Sequence, residues 1–280
     1  MIKTETKQEL LGHSRAATAE AIATREEFTT VVSNRRRRRA QSSKYKRPVP
    51  TPSTYASSIP GRIKLLQSSR FYESLIDHVE SAICRINEND DQATSPVIVS
   101  RIRCLALGRP SESETSLFQT ALLLALAAKL NINLQNVTLW DPDFQADDVE
   151  ILHLLGLSVT QNDGETGKLL RPTAEQVANR QNTLYYMPHA PIFLVDRIIG
   201  LGGVRFVLGN DVLGYKERLE EEVDLVFANL RAAIKECGTH EENKSEKSIQ
   251  WRRVRIEDSL SRDEVWWLSV NDLAMHWHGF

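Results

Sequence analysis

The stretch VIVSRIRCLALGRPSESETSLFQTALLLALAAKL, Val97 to Leu130, holds the change of hydrophobic rhythm that decides the fold. Its first part, Val97 to Gly108, is β-branched and apolar, and predicts a strand that ends on Gly108. Its second part, from Glu114 onward, is strongly helix-forming and apolar nearly all round, which predicts a buried helix. Ser111 or Ser113 is placed to cap that helix, with Glu114 in its first turn. Strand, glycine turn and buried helix in that order open a unit of alternating strands and helices.

The alternation continues downstream. NVTLWDPDF predicts a second strand ending at Asp141, and QADDVEILHLLG a helix stopped by Gly156. LSVTQ reads as a third, short strand and TLYYMP as a fourth. PIFLVDRIIG predicts a helix, VRFVLGND a fifth strand, and LEEEVDLVFANLRAAIKE a long amphipathic helix. EVWWLSVND, Glu264 to Asp272, reads as the last strand. Upstream, Leu65, Leu66, Phe71, Leu75, Ile76, Val79, Ile83 and Ile86 recur at helical spacing and predict a helix from about Ser69 to Asn87. Strands alternating with helices from Val97 to Glu236 imply a Rossmann-like α/β fold, mostly parallel, with helices on both faces of the sheet.

Residues 1–58 differ in kind. Asn34 to Pro48 holds eight basic residues and no acidic one, and the following PVPTPSTYASSIPG is rich in Pro and Ser/Thr. Such a segment has too little apolar surface to offset its ordering entropy, so a disordered basic and Pro-rich extension is expected over 1–58, followed by the α/β domain over 59–280. The run Arg35, Arg36, Arg37, Arg38 and Arg39 is a nuclear-import candidate that an import receptor would read; an inert solvated tail is the other reading. Specific nucleic-acid recognition is not expected, because Tyr45 is the lone aromatic there and the whole chain has net charge -2. The N-terminus lacks the apolar segment of a secretory signal. The longest apolar run, Ala121 to Ala128, is far short of the roughly 20 residues a membrane span needs. Three cysteines, Cys84, Cys104 and Cys237, without CxxC spacing fit a reducing compartment. A cytoplasmic protein is expected, nuclear as well if the arginine run is used.

In parallel α/β sheets ligands bind outside the carboxyl ends of the strands. The residues predicted there are Gly108, Asp141, His189, Gly209, Asn210, Asn271 and Asp272, which makes them the candidate ligand-binding set. Gly108 would let backbone approach a ligand ahead of a helix N-terminus that favours anions. Asp141 ends the second strand, where dinucleotide-binding folds hold a ribose hydroxyl, yet ALGRPSESETS has one glycine where the G-x-G-x-x-G fingerprint wants three. His189 admits a turn role, a ligand contact or acid/base work. No G-x-S-x-G elbow accompanies it, and no catalytic residue is assigned. His276 and His278, two apart in MHWHGF, would point to one side of an extended segment. A metal pair there is the weaker reading, and packing of a terminal aromatic segment on the sheet the stronger.

LALG, LWDPDF, TLYYMPHAP, LGND with Tyr215, and VNDLAMHW occur together and in order. In this the chain resembles the sensitivity-to-red-light-reduced (SRR-like) domain family over about Ile63 to Phe280, most specifically through Asp141-Pro142-x-Phe144 and Tyr186-Met187-Pro188-His189. The resemblance implies a regulatory protein linked to haem biosynthesis and circadian input, with microtubule stability as the role of fungal relatives. It implies no reaction. Haem and a nucleotide-like compound are both ligands it leaves open. Ala190-Pro191 stands where the family often has Cys-Pro, so a haem held through sulfur is not implied at that place. The alternative is a Rossmann-type enzyme using a nucleotide or S-adenosylmethionine, with Asp141 on a ribose and His189 as acid or base.

Overall fold

Alternating burial along β1 (Arg101–Leu105) sets the layering. Ile102 and Cys104 face one core, and Leu105 faces another. The computed structural model describes residues 50–89, 96–160, 174–216, 219, 227–238, 250–256 and 272–279. Arg35 to Arg39 and Asn271 lie outside the described residues, as does the expected strand at Glu264 to Asp272 except for Asp272 itself.

The other strands are β2 (Val137–Trp140), β3 (Ser158–Val159), β4 (Thr183–Met187), β5 (Phe206–Asn210), β6 (Gln250–Arg255) and β7 (Leu273–Gly279). They form one sheet in the order β3-β2-β1-β4-β5-β7-β6. β1 to β5 run parallel, with Cys104 opposite both Leu139 and Tyr186. β7 lies antiparallel between β5 and β6. The chain builds outward from β1 to β3, then returns to place β4 on the other side of β1. That reversal is the switch point at which such sheets open a crevice.

The helices are α1 (Pro52–Gln67), α2 (Arg70–Asn89), α3 (Glu114–Lys129), α4 (Ala146–Leu154), α5 (Ala174–Gln181), α6 (Ile192–Ile199) and α7 (Ala228–Gly238). Apolar residues of α1 to α4 join Ile102, Leu139, Leu184, Tyr186, Phe206 and Leu208 in one core. Those of α6 and α7 join Leu105, Tyr185, Met187 and Val207 in the other. Helices therefore cover both faces, as the alternation implies. Ser113 is the residue that caps α3, its side chain accepting from Ser116 N. Gly156 ends α4 at φ +78, a conformation that suits glycine.

Four sequence expectations shift. Order begins before residue 59: Thr51 caps α1 and Pro52 takes the first-turn position that proline favours, while Ile59 is buried. The first strand is shorter than Val97–Gly108, and Ile98 in its lead-in is 63% exposed. α5 is a helix the apolar pattern did not announce. The closing segment as far as Gly279 is part of a strand rather than packed onto one, since β7 pairs with neighbours on both sides. Among the described residues no helix is long and apolar enough to cross a membrane.

Candidate functional site

The carboxyl ends of β1, β2, β4 and β5 and the amino end of β7 share one rim, because β7 runs against the rest. Gly108, Asp141, His189, Asn210 and Asp272 all follow or precede these ends, so the structure brings them to the same edge of the sheet. The edge is long. Asp141 follows β2 and Asp272 precedes β7, four strand spacings apart, which is roughly 19 Å at about 4.8 Å per spacing. The rim therefore divides into two groups.

The first group surrounds the loop after β1. Ala106 has φ 56 and Gly108 has φ 77, so two residues in three are left-handed. Such geometry costs a non-glycine residue about 1–2 kcal/mol and persists only when surroundings enforce it. A Cβ on Gly108 would lie 2.6 Å from Ser116 Oγ, so glycine is required there twice over. Two carboxylates from the β2–α4 segment do the enforcing. Asp141 Oδ2 accepts from Gly108 N at 2.7 Å, and its Oδ1 accepts from Asp143 N at 2.9 Å. Asp148 is fully buried. It accepts from Ser111 N at 2.9 Å, Gln145 N at 2.9 Å and Arg109 Nε at 3.2 Å. Burial raises the Asp148 pKa, but hydrogen bonds from Ser111, Gln145 and Arg109 outweigh it, and the net shift is downward. Asp148 stays an anion and clamps the loop. Asp141 thus spends one lone pair of each oxygen inside the protein.

The second group joins β4, β5 and β7. His189 is exposed in the turn after β4, between the buried Pro188 and Ala190. Surrounding protein lowers its pKa, and the Asp272 carboxylate pulls the other way. The residue as a whole stays open to water. Asn210 Nδ2 donates to the Tyr215 hydroxyl at 3.1 Å, which donates to Ala190 O at 3.4 Å. This chain ties the end of β5 to the His189 turn. At Gly209 a Cβ would sit 2.9 Å from Met187 O of the neighbouring strand, so glycine lets the two strands approach there. Asp211 N donates to Asp272 O at 2.9 Å, and Asp211 Oδ2 accepts from Arg253 Nη1 at 2.9 Å.

Sequence reasoning missed Asp148, Arg109, Tyr215, Asp211 and Arg253 as parts of this rim. For Asp148 a signal existed: it is the third residue of α4, where a carboxylate reaches back to the Gln145 backbone in a capping box. For Arg253 none did, because β6 was not foreseen. His276 and His278 do share a side of β7, but they part in role. His276 is buried and its Nε2 accepts from Val212 N at 3.3 Å, while His278 lies beside the Trp251 ring at 5.1 Å. Among the described residues no cluster of three or more His, Cys, Asp or Glu is arranged to hold a metal. Cys104 lies beneath the first group; burial and then the Asp141 charge raise its pKa, so it is a neutral thiol and no nucleophile.

The sequence matches the family model of the SRR1 domain over residues 71–277. The mouse (Mus musculus) SRR1-like protein is 28% identical over 123 residues, which cover 41% of this chain and 46% of that protein. The chain thus spans about half the length of the curated relative it matches. Cofactor-bound Rv0187 from MTB superposes with a TM-score of 0.34 at 10% identity, over 80% of this chain and 88% of that one. The plantazolicin methyltransferase BpumL, in complex with a monoazolic desmethylPZN analog and SAH, gives 0.32 at 10% identity, over 82% and 99%.

Proposed function

The chain belongs to the SRR1 domain family, and we propose that it is a regulatory α/β protein that takes a small nucleotide-like ligand at the carboxyl rim of its sheet. The observation that carries this reading is the loop after β1. Ala106 and Gly108 are both left-handed at the switch point, and Asp141 and Asp148 hold them there. Backbone strain held by two carboxylates at the crevice of a doubly wound sheet is what a preorganised ligand clamp requires. Asp141 would accept from ligand hydroxyls with its remaining lone pairs, and His189 would contact the far end of an extended ligand. The family's links to haem biosynthesis and to circadian input support placing the regulated process there. They also make haem the other ligand to try.

Native mass spectrometry of the purified full chain, followed by thermal shift with ATP, S-adenosylmethionine and hemin, tests this. A ligand at a hundred times its Kd adds about 2.7 kcal/mol of stability. Asp141→Ala and His189→Gln should each reduce that gain. In cells, the same two variants should reproduce the change in haem-biosynthesis transcripts that deletion of the gene causes. A ligand response unaltered by both variants speaks against the rim as its site.

A second reading, a Rossmann-type enzyme, is favoured by one observation. The order β3-β2-β1-β4-β5 with Asp141 after β2 puts a carboxylate where dinucleotide-binding sheets hold a ribose. Turnover of S-adenosylmethionine or of a nicotinamide nucleotide by the pure protein, lost in Asp141→Ala, would select it.

A further inference from the structure

The chain has 10 prolines. Two of them follow a hydroxyl side chain, Pro52 after Thr51 and Pro96 after Ser95. Ser95 lies outside the described residues, and Thr51 lies within them. Pro50, Thr51, Ser53 and Thr54 are all exposed at the start of α1. Thr51 itself is extended, at φ -89 and ψ 161, the region that a following proline imposes. An accessible hydroxyl on extended backbone with proline next in line is the substrate pattern of a proline-directed protein kinase.

The helix beyond it can open to meet such an enzyme. Ile59 is its first fully buried residue, with Tyr55 half-buried before it. Pro60 lies inside α1 and carries no N–H, so the Ala56 carbonyl loses its helical donor and the first two turns are tied to the rest by one bond fewer. An exposed helix end held this way opens locally at small cost.

The surroundings of Thr51 also favour the product. The first turn of α1 has no acidic residue, and the sequence has no Asp or Glu from Phe28 to Tyr72. Thr51 Oγ1 accepts from Thr54 N at a long 3.4 Å, and lies 2.9 Å from Ser53 Oγ and 3.0 Å from Thr54 Oγ1. Phosphate oxygens reach further than one hydroxyl, so that N–H and both hydroxyls become donors to a dianion. Negative charge at this end of a helix orders its first turn. The far half of α1 is already fastened to the domain: Arg62 Nε and Nη2 donate to Glu114 Oε1 at 3.1 and 2.5 Å, with the guanidinium over the Phe118 ring.

We propose that Thr51 is a phosphorylation site for a proline-directed protein kinase, and that the phosphate tightens the first turn of α1. In the transfer Thr51 Oγ1 bonds to the γ-phosphorus of ATP while its proton passes to the catalytic base of the kinase; the bond from that phosphorus to the bridging oxygen breaks, and ADP leaves. The modification does not depend on what binds at the carboxyl rim.

Incubation of the full chain with ATP and a mitogen-activated or a cyclin-dependent protein kinase, followed by peptide mass spectrometry, tests it. Phosphate should be found on Thr51. Ser95→Ala should leave that labelling in place. Thr51→Asn keeps a side chain that caps α1 but has no acceptor hydroxyl, and should remove it. Pro52→Ala keeps the hydroxyl and should remove it as well. In hydrogen–deuterium exchange the amides of Tyr55 to Ser58 should be protected about two- to fivefold more after phosphorylation, the range expected of a charge at a helix N-terminus. No phosphate on Thr51 with either kinase, labelling of Thr51 that survives Pro52→Ala, or exchange in α1 that is unchanged or faster after phosphorylation would each overturn the assignment.

Discussion

Replacing Asp148 by Asn tests how the loop after β1 is held. The side chain is fully buried, and the change preserves its shape and volume, so no cavity is made. What changes is the acceptor count. In the wild type Oδ1 accepts from Ser111 N, and Oδ2 accepts from both Gln145 N and Arg109 Nε. The amide has one oxygen. If it takes the Oδ2 position, its NH2 confronts Ser111 N; in the other orientation it confronts Gln145 N and Arg109. One hydrogen bond to a charged group contributes about 1.5–3 kcal/mol, and a buried donor left unsatisfied costs a similar amount. The Arg109 contribution is discounted, since its side chain is 30% exposed. The expected loss is about 2–4 kcal/mol, or a Tm lower by about 5–15 °C for a domain of this size. Urea unfolding of both full-length proteins, followed by circular dichroism with an unchanged m-value, measures it.

The same substitution predicts a pH signature. The Asp148 pKa is lowered by folding, so its stabilisation is fully present above the unfolded carboxylate value of about 3.9. It is lost as pH falls through the folded value. The stability gap between wild type and Asp148→Asn should therefore be constant near neutrality and close only in strong acid. A gap below about 0.5 kcal/mol at neutral pH, within the range of an ordinary surface change, would refute the reasoning. So would a gap that widens as acid is added.

Three other outcomes are expected. Gly108→Ala should destabilise by about 2 kcal/mol or more, since it adds both a left-handed alanine and a Cβ against Ser116 Oγ; adding Ser116→Ala should recover the steric part only, as a denaturant double-mutant cycle will resolve. Burial depresses His276 to about 4, with the Asp211 charge opposing, so between about 6.5 and about 4 the unfolded chain binds a proton that the folded chain does not. Stability should fall with pH across that window, above the one in which Asp148 titrates, and His276→Gln should flatten it in pH-dependent urea melts. Tyr215→Phe removes the hydroxyl between Asn210 and Ala190 and should cost about 0.5–1.5 kcal/mol per bond, with faster amide exchange in the His189 turn by hydrogen–deuterium measurement.

Within the parallel part of the sheet, β4 and β5 were the most legible strands, because they are buried on both faces. TLYYM at β4 is buried at every position, and such runs announce themselves. The punctuation was legible for the same reason: a buried strand must surface somewhere, and polar or glycine residues mark where. β6 was not legible. QWRRVR is an edge strand with three arginines, and its pairing with β7, not its composition, makes it a strand. α5, AEQVANRQ, has too few apolar residues to display a period. The candidate rim was found by position alone, which explains what was missed. Strand ends locate Asp141 and His189, but a hydrogen bond from Ser111 to Asp148 joins residues 37 apart in the chain and leaves no local trace.

The rim's internal bonds decide how a ligand there would be felt. Ala106 and Gly108 are left-handed in a loop that Asp141 holds at Gly108 N and Asp148 holds just beyond, at Ser111 N. A ligand that engages Asp141 therefore binds a loop whose ordering has already been met by folding, and less of its binding energy goes into ordering the chain. Asp148 touches no rim surface, being fully buried. Loosening the loop through Asp148→Asn should nonetheless weaken any ligand that rests on Gly108, in proportion to the loop order lost. Asp141 and Asp148 act on one segment, so their substitutions should be non-additive for ligand affinity. Additive effects would mean that the loop is ordered without them, and that the left-handed backbone at Ala106 and Gly108 is a consequence of chain connectivity rather than a device for binding.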